Sequence, residues 1–153
     1  MFKLILLAFI SMIPVLEARA AFIYAYINRF EDSIAFIVIF LSSSLPSFLI
    51  IYGLDSLEKY IVGKNSFLNK VYRSIINRIR KKSQKITRFK IIYIGLTIFV
   101  AVPIPGSGVW TGSILSYILG LDRKLSIISI VIGNFLSCLI LYITVYVLAS
   151  VVV

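Results

Sequence analysis

The stretch of sequence that decides the fold is Val-Pro-Ile-Pro-Gly-Ser-Gly-Val-Trp-Thr-Gly, residues 102–112. It interrupts an apolar segment that runs from residue 91 to residue 121. Its two prolines lack a backbone N–H donor and clash with a continuing helix, and two of its glycines permit backbone conformations that other residues avoid. We therefore expect one helix to end before this stretch and a second helix to begin within it.

The length of the segment 91–121 favours a re-entrant hairpin. About a dozen apolar residues flank the break on each side. Twelve helical residues reach only about 18 Å, whereas the hydrocarbon core of a bilayer is about 30 Å thick. Each half-helix would therefore end near the bilayer midplane. The alternative is a single kinked and tilted span.

The N-terminal region, residues 2–27, has a similar break at Pro14 to Arg19. We expect a first re-entrant hairpin here, although one proline is a weaker break and 26 residues could span once. A signal peptide is a further alternative, because Lys3 precedes an apolar stretch and Ala18-Arg19-Ala20 resembles a cleavage site.

Two longer apolar runs, residues 33–54 and 125–153, predict transmembrane helices, since about 20 apolar residues suffice to span. The chain of 153 residues is 60% hydrophobic, against about 45–50% for soluble domains. It is therefore expected to be a multi-pass integral membrane protein.

Basic residues concentrate in the loop 59–90, which has eleven Lys or Arg and no acid. Such loops stay in the cytoplasm, so this loop is expected inside and both termini outside. Apolar positions between Leu68 and Ile79 fall on one helical face, which predicts an interfacial helix on an anionic leaflet. We expect the basic residues of this loop to contact membrane lipids rather than nucleic acid.

The order of segments is therefore hairpin, span, basic loop, hairpin and span, within one domain, residues 1–153. A hairpin returns to the side it entered from, whereas a span crosses. The second half is then inverted relative to the first, an arrangement that many secondary transporters use. The predicted fold is an all-α membrane protein with two transmembrane helices and two re-entrant hairpins in an inverted repeat.

Glu17 and Arg19 are the charged residues within the apolar segments, at the expected hairpin tip. Intramembrane charges are costly and indicate function by default. Glu17 is a candidate proton carrier, and Arg19 could hold a phosphate or carboxylate through two parallel hydrogen bonds. The alternative is structural, namely that the two residues pair with each other or with backbone carbonyls.

The second break offers a candidate anion site, because a helix N-terminus presents unpaired N–H groups and a partial positive charge. Ser107 and Thr111 would add hydroxyl donors, and Trp110 could pack on the other hairpin or line a cavity. The alternative is a purely structural turn. The candidate residues of this break are Pro103, Pro105, Gly106, Ser107, Gly108, Trp110 and Thr111.

Catalytic and metal-binding arrangements are not expected. The chain has no His and one Cys, and Cys138 lies within the last apolar run, where a packing role is the simplest interpretation. We therefore expect neither an enzyme nor a cofactor.

The two breaks together resemble the small multi-drug export protein family of prokaryotes, which is similar to the wider DedA superfamily. The resemblance rests on residues 14–21 and on residues 102–112. It implies two facing re-entrant hairpins, with an acid and an arginine near the tips, here Glu17 and Arg19. It also suggests ion-coupled movement of a polyprenyl-phosphate lipid carrier, although the second hairpin lacks the charged residues that many DedA-like proteins have.

These observations favour a small membrane transporter or flippase for an anionic amphiphile. The alternatives are a proton-coupled exporter of small amphipathic compounds and a non-transporting membrane assembly factor. A chain this small encloses a cavity poorly, so a homodimer is expected. The predicted location is the cell membrane.

Overall fold

The computed structural model describes residues 2–14, 16–64 and 91–148. These residues form six α-helices and no strand, which confirms the predicted all-α class. The helices are α1 (Phe2–Met12), α2 (Glu17–Ile27), α3 (Asp32–Lys64), α4 (Ile91–Ala101), α5 (Val109–Leu119) and α6 (Arg123–Tyr142), and α6 continues as a π-helix, Ile143–Leu148. The interfacial helix predicted between Leu68 and Ile79 lies outside the described residues.

Two of these helices are long and apolar enough to cross a membrane. The stretches are Ser33–Leu54, with a mean hydropathy of 2.4, and Arg123–Tyr146, with 2.2. Helix α3 runs on to Lys64, so the first residues assigned to the basic loop 59–90 are helical. No proline lies between Pro46 and Lys64 that would end this helix sooner.

The four remaining helices are short. Helices α1, α2, α4 and α5 each have 11 residues, which is about 16 Å at 1.5 Å per residue. None of them reaches the length of about 20 residues that a full span requires. The residues 2–27 therefore form two helices rather than one continuous span.

The helices pack in a regular set of pairs. Helices α1 and α2 contact one another and both contact α3, while α4 and α5 contact one another and both contact α6. The long helices α3 and α6 contact each other, and α2 and α5 each contact the long helix of the other half. Every described residue range is thus tied into one body.

Two buried apolar clusters lie between the helices. The first joins α1, α2, α3 and α6 around Phe22, which is fully buried and meets Tyr142 edge to face. The second joins α3, α4, α5 and α6 around Val100 and Ile130. Close helix approach requires small residues here, because a Cβ on Gly133 would lie 2.6 Å from the Thr97 carbonyl oxygen.

The outer surface is as apolar as the interior. Large apolar side chains are exposed on every described helix, among them Phe2, Ile27, Leu49, Ile91, Ile114 and Ile128. A soluble monomer rarely exposes apolar patches of this extent. The surface is therefore that of a protein that faces lipid.

Candidate functional site at the two helix breaks

The first break separates α1 from α2 and is caused by Pro14. A residue that precedes proline is disfavoured in the helical region, so the helix ends at Met12 and Ile13 turns the chain. Helix α2 then begins at Glu17, whose φ of 44° lies in the left-handed region. Non-glycine residues rarely adopt that region, and it persists where surrounding contacts impose it.

The second break, between α4 and α5, is folded around the side chain of Ser107. Its hydroxyl donates to the carbonyl oxygens of Val102 and Ile104, at 2.5 and 2.8 Å, and accepts from the Ile104 N–H at 3.3 Å. Gly106 has a φ of 90°, which a residue with a Cβ adopts only under strain. Gly108 is extended and caps α5 without a side chain.

The two breaks meet in space, although more than 80 residues separate them in sequence. The Arg19 guanidinium donates a hydrogen bond to the Ile104 carbonyl oxygen. The Trp110 indole N–H donates to the Met12 carbonyl oxygen at 3.0 Å. We call this meeting place the seam, formed by Met12, Glu17 and Arg19 on one side and by Ile104, Gly108 and Trp110 on the other.

Glu17 lies at the centre of the seam. Its carboxylate accepts a hydrogen bond from the backbone N–H of Trp110, and a Cβ on Gly108 would collide with it. Because Gly108 is the N-cap of α5, Glu17 occupies the place that a capping carboxylate would take. The anion site predicted at this helix N-terminus is therefore filled by a carboxylate of the chain itself.

The charges of the seam are largely removed from solvent. The side chains of Glu17 and Arg19 are 16% and 18% exposed, and their charged atoms lie 3.8 Å apart. Charged groups removed from water destabilise a protein unless they are paired and hydrogen-bonded. Here both conditions are met, through the ion pair, the Ile104 carbonyl and the α5 N-terminus.

The other residues singled out from the sequence differ in their burial. Pro103 is half-buried, whereas Pro105, Gly106 and Thr111 are exposed. The buried Ser107 hydroxyl is engaged within its own loop. Arg19 and the α5 N-terminus, rather than the two hydroxyls, therefore form the electropositive part of the seam.

Sequence reasoning missed a buried polar cluster between α3 and α6. The Asn134 amide donates to the hydroxyl oxygens of Ser43 and Ser44, both at 2.9 Å. The Cys138 thiol donates a weak hydrogen bond to the Asn134 side-chain oxygen at 3.9 Å, which extends the cluster along α6. The sequence does contain a signal for this cluster. Three consecutive serines, 42–44, lie in one predicted span and Asn134 lies in the other, and such residues often form hydrogen bonds between membrane helices.

An apolar groove opens beside this cluster. It has a volume of about 600 Å³ and is lined by Val38, Phe40, Leu41, Ser42, Ser44, Leu45, Phe48 and Val131. Ser42 also shares a hydrogen bond of 2.6 Å with Ser11, which precedes Met12 of the seam. The Ser11–Ser42 hydrogen bond thus connects the α1 side of the seam to the lining of the groove.

In a comparison with known protein families, residues 17–140 match the family described as "Putative small multi-drug export protein". The chain belongs to this family. The matched range covers most of the chain, including Glu17, Arg19 and the entire second break. Searches of curated proteins and of solved structures found no match.

The acidic, Cys and His side chains of the described residues were compared with the requirements of a metal site. Among the residues that the structure describes, no group of three or more His, Cys, Asp or Glu side chains lies close enough to hold an ion. The chemistry that the described seam offers is therefore ion pairing, hydrogen bonding and proton exchange.

Proposed function

We propose that this chain is an ion-coupled transporter or flippase for an anionic amphiphile, and that the anionic group passes through the seam. The observation that carries the proposal is the positive environment of the Glu17 carboxylate. Arg19 and the N-terminus of α5 converge on it, and a guanidinium together with helix N–H groups is a recurrent way to bind phosphate or carboxylate.

The proposed architecture is a pair of re-entrant hairpins, α1–α2 and α4–α5, each followed by one span. The packing supports this proposal, because each closely packed helix pair has a counterpart. The pairs α1–α3 and α4–α6 correspond, as do α2–α6 and α5–α3. Such correspondence is expected of an inverted repeat, whose binding site lies between broken helices near the midplane.

We further propose that the protein resides in the cell membrane with the basic loop 59–90 in the cytoplasm. The support is the excess of Lys and Arg in that loop. Membrane lipids, and a second copy of the chain, are the proposed partners. We propose neither enzymatic activity nor a resident cofactor, since the chain has no His and one buried Cys.

We propose polyprenyl phosphates as the substrate class, because the two breaks are similar to those of DedA-like proteins. The groove beside the seam supports this class, because its lining is apolar apart from Ser42 and Ser44, whose hydroxyls donate to α3 carbonyls. A phosphate at the seam could therefore have its chain in the groove.

A second candidate is a proton-coupled exporter of small amphipathic compounds, with Glu17 as the exchanging group. The family description favours it. The surroundings of Glu17 favour anions instead, because Arg19 and the α5 N-terminus would repel a cation.

Transport measurements on vesicles distinguish the two candidates. A fluorescent polyprenyl phosphate is incorporated into both leaflets, and its outward movement is followed by chemical bleaching of the outer leaflet. Arg19→Lys keeps the charge but loses the planar two-pronged geometry. Loss of one hydrogen bond to a charged group costs about 1.5–3 kcal/mol, so the transport rate of Arg19→Lys should fall roughly 10- to 100-fold. Arg19→Ala should impair transport at least as much.

Arg29→Lys is the matched control, because Arg29 lies in the turn after α2 and makes no part of the seam. Its rate should equal that of the wild type. Normal transport by well-folded Arg19→Lys and Arg19→Ala proteins would refute the phosphate proposal. A cation exporter would instead lose transport of a cationic dye with Glu17→Gln and retain it with Arg19→Lys.

A further inference from the structure

The non-helical backbone of the second break lies on the surface of the chain. Pro105 and Gly106 are exposed, and neither forms a backbone hydrogen bond with another residue that the structure describes. A Cβ added to Gly106 would meet no atom within 4 Å. The Pro105 carbonyl and both backbone polar groups of Gly106 are therefore left uncovered in the single chain.

Exposed side chains from both breaks lie close to this turn. Ile104, which belongs to the seam, is 57% exposed, and Leu16, which precedes Glu17, is 42% exposed. Thr111, which follows Trp110 and carries a hydroxyl, is exposed as well. We define the tip patch as these three residues together with the exposed turn, that is, Leu16, Ile104, Pro105, Gly106 and Thr111.

Lipid is an unsuitable neighbour for the tip patch. Hydrocarbon offers no hydrogen bonds, so non-helical backbone at membrane depth occurs only where protein buries it or where it lines a water-filled cavity. The exposed apolar faces of the helices differ in this respect, because their backbone groups are bonded within the helix. The side chains of Glu17 and Arg19 also keep 16% and 18% exposure, and charges at this depth face protein or water rather than lipid.

Water is an unsuitable neighbour for a different reason. The side chains of Leu16, Ile104 and Pro105 are apolar, and their contact with water is unfavourable in proportion to the apolar area exposed. A protein surface satisfies both requirements, because it can cover apolar side chains and also form hydrogen bonds with the backbone of the turn.

We propose that a second copy of the chain covers the tip patch, so that the two seams face each other across a homodimer. This inference rests on the proposed architecture, in which both breaks lie at mid-depth in the bilayer. The basic loop 59–90 gives both copies the same orientation, so the tip patches lie at the same depth. Two identical patches then meet about a two-fold axis along the membrane normal.

The tip patch is complementary to itself. It contains hydrogen-bond donors, the Gly106 N–H and the Thr111 hydroxyl, and it contains acceptors, the carbonyl oxygens of Pro105 and Gly106. A two-fold contact brings the donors of one copy to the acceptors of the other. Gly106 has no side chain, so the two backbones can approach closely, as small residues allow at interfaces within membranes. The seam is enclosed by protein only when the second copy is present.

Cysteine crosslinking in phosphatidylcholine vesicles tests the interface. The background is Cys138→Ala, which removes the single native Cys. Ile104→Cys and Thr111→Cys are introduced separately, and each protein is treated with copper phenanthroline or a short bismaleimide at a low ratio of protein to lipid. We expect covalent dimers from both. The matched control is Ile132→Cys, because Ile132 is 49% exposed and lies near the middle of the span Arg123–Tyr146, and it should give none.

The number of copies is measured independently of any change in the tip patch. A dye is attached to Ser83→Cys in the same background, and bleaching steps of single particles are counted in vesicles. We expect two copies per particle. A single copy would overturn the interface, and so would dimers that crosslink through Ile132→Cys and not through the tip patch.

A water-soluble thiol reagent that does not cross membranes provides the remaining comparison. Ready labelling of Ile104→Cys without crosslinking would show that the tip patch lines an aqueous cavity, which would also overturn the interface. Because no substrate is present, the result does not depend on transport. Dimers that crosslink through the tip patch and move no polyprenyl phosphate would support the interface and count against the proposed function. Transport by a monomer would have the opposite meaning.

Discussion

Replacement of Gly108 by alanine tests how tightly the Glu17 carboxylate is built into the fold. The backbone at Gly108 is extended, with φ −85° and ψ −165°, so alanine adopts it without strain. The new methyl group would instead collide with the carboxylate. Displacement removes a hydrogen bond to a charged group, about 1.5–3 kcal/mol, and a helix-terminus interaction of about 0.3–1 kcal/mol. Gly108→Ala should therefore lower the free energy of unfolding by about 2–4 kcal/mol.

The assay is a double-mutant cycle, with unfolding in detergent followed by the fluorescence of Trp110. Glu17→Ala removes the group that the methyl would strike, so in that background Gly108→Ala should cost less than about 0.5 kcal/mol. Gly95→Ala is the control, because a Cβ there meets no atom within 4 Å, and it should not destabilise the protein. Additive costs of Gly108→Ala and Glu17→Ala would refute the reasoning.

Three further predictions concern packing and topology. Gly133→Ala should destabilise the protein by about 1–3 kcal/mol, because its Cβ would strike the α4 backbone. Thermal unfolding measures this cost, with Gly95→Ala as the control, and equal stability of the two variants would contradict the prediction. Asn134→Leu should lower the free energy of unfolding by about 1–2 kcal/mol, since the Asn134 amide donates hydrogen bonds to two serines of α3. An unchanged denaturation midpoint would count against that role. Cysteines introduced at Ser33 and Ser83 should label from opposite sides of the membrane, with Ser83 inside, and labelling from one side would exclude a single span between them.

The helix breaks could be predicted from sequence because their causes are local. Pro14 and the pair Pro103 and Pro105 end helices by removing donors and by steric clash, whatever lies around them. The same holds for the long apolar runs, whose length and composition decide that they can span. The end of α3 at Lys64 was less predictable, because residues 55–64 mix charged and apolar side chains that are compatible with a helix.

The partners of the charged residues could not be predicted in this way. The sequence left open whether Glu17 pairs with Arg19 or faces a ligand, and the structure adds a third partner, the N-terminus of α5. That contact depends on how two helix pairs pack, which no local pattern encodes. The cluster of Asn134 with Ser43 and Ser44 could not be predicted either, because each residue alone is an ordinary polar residue in a span.

We propose that the two helix breaks meet inside the bilayer, and Trp110 tests this claim directly. The protein is reconstituted with phosphatidylcholines that carry bromine at different depths along the acyl chain, and the quenching of its single Trp is compared. We expect quenching to be strongest with bromine deep in the acyl chain, near the bilayer midplane. Strongest quenching by bromine next to the headgroups would place the seam at the membrane surface and would contradict the claim.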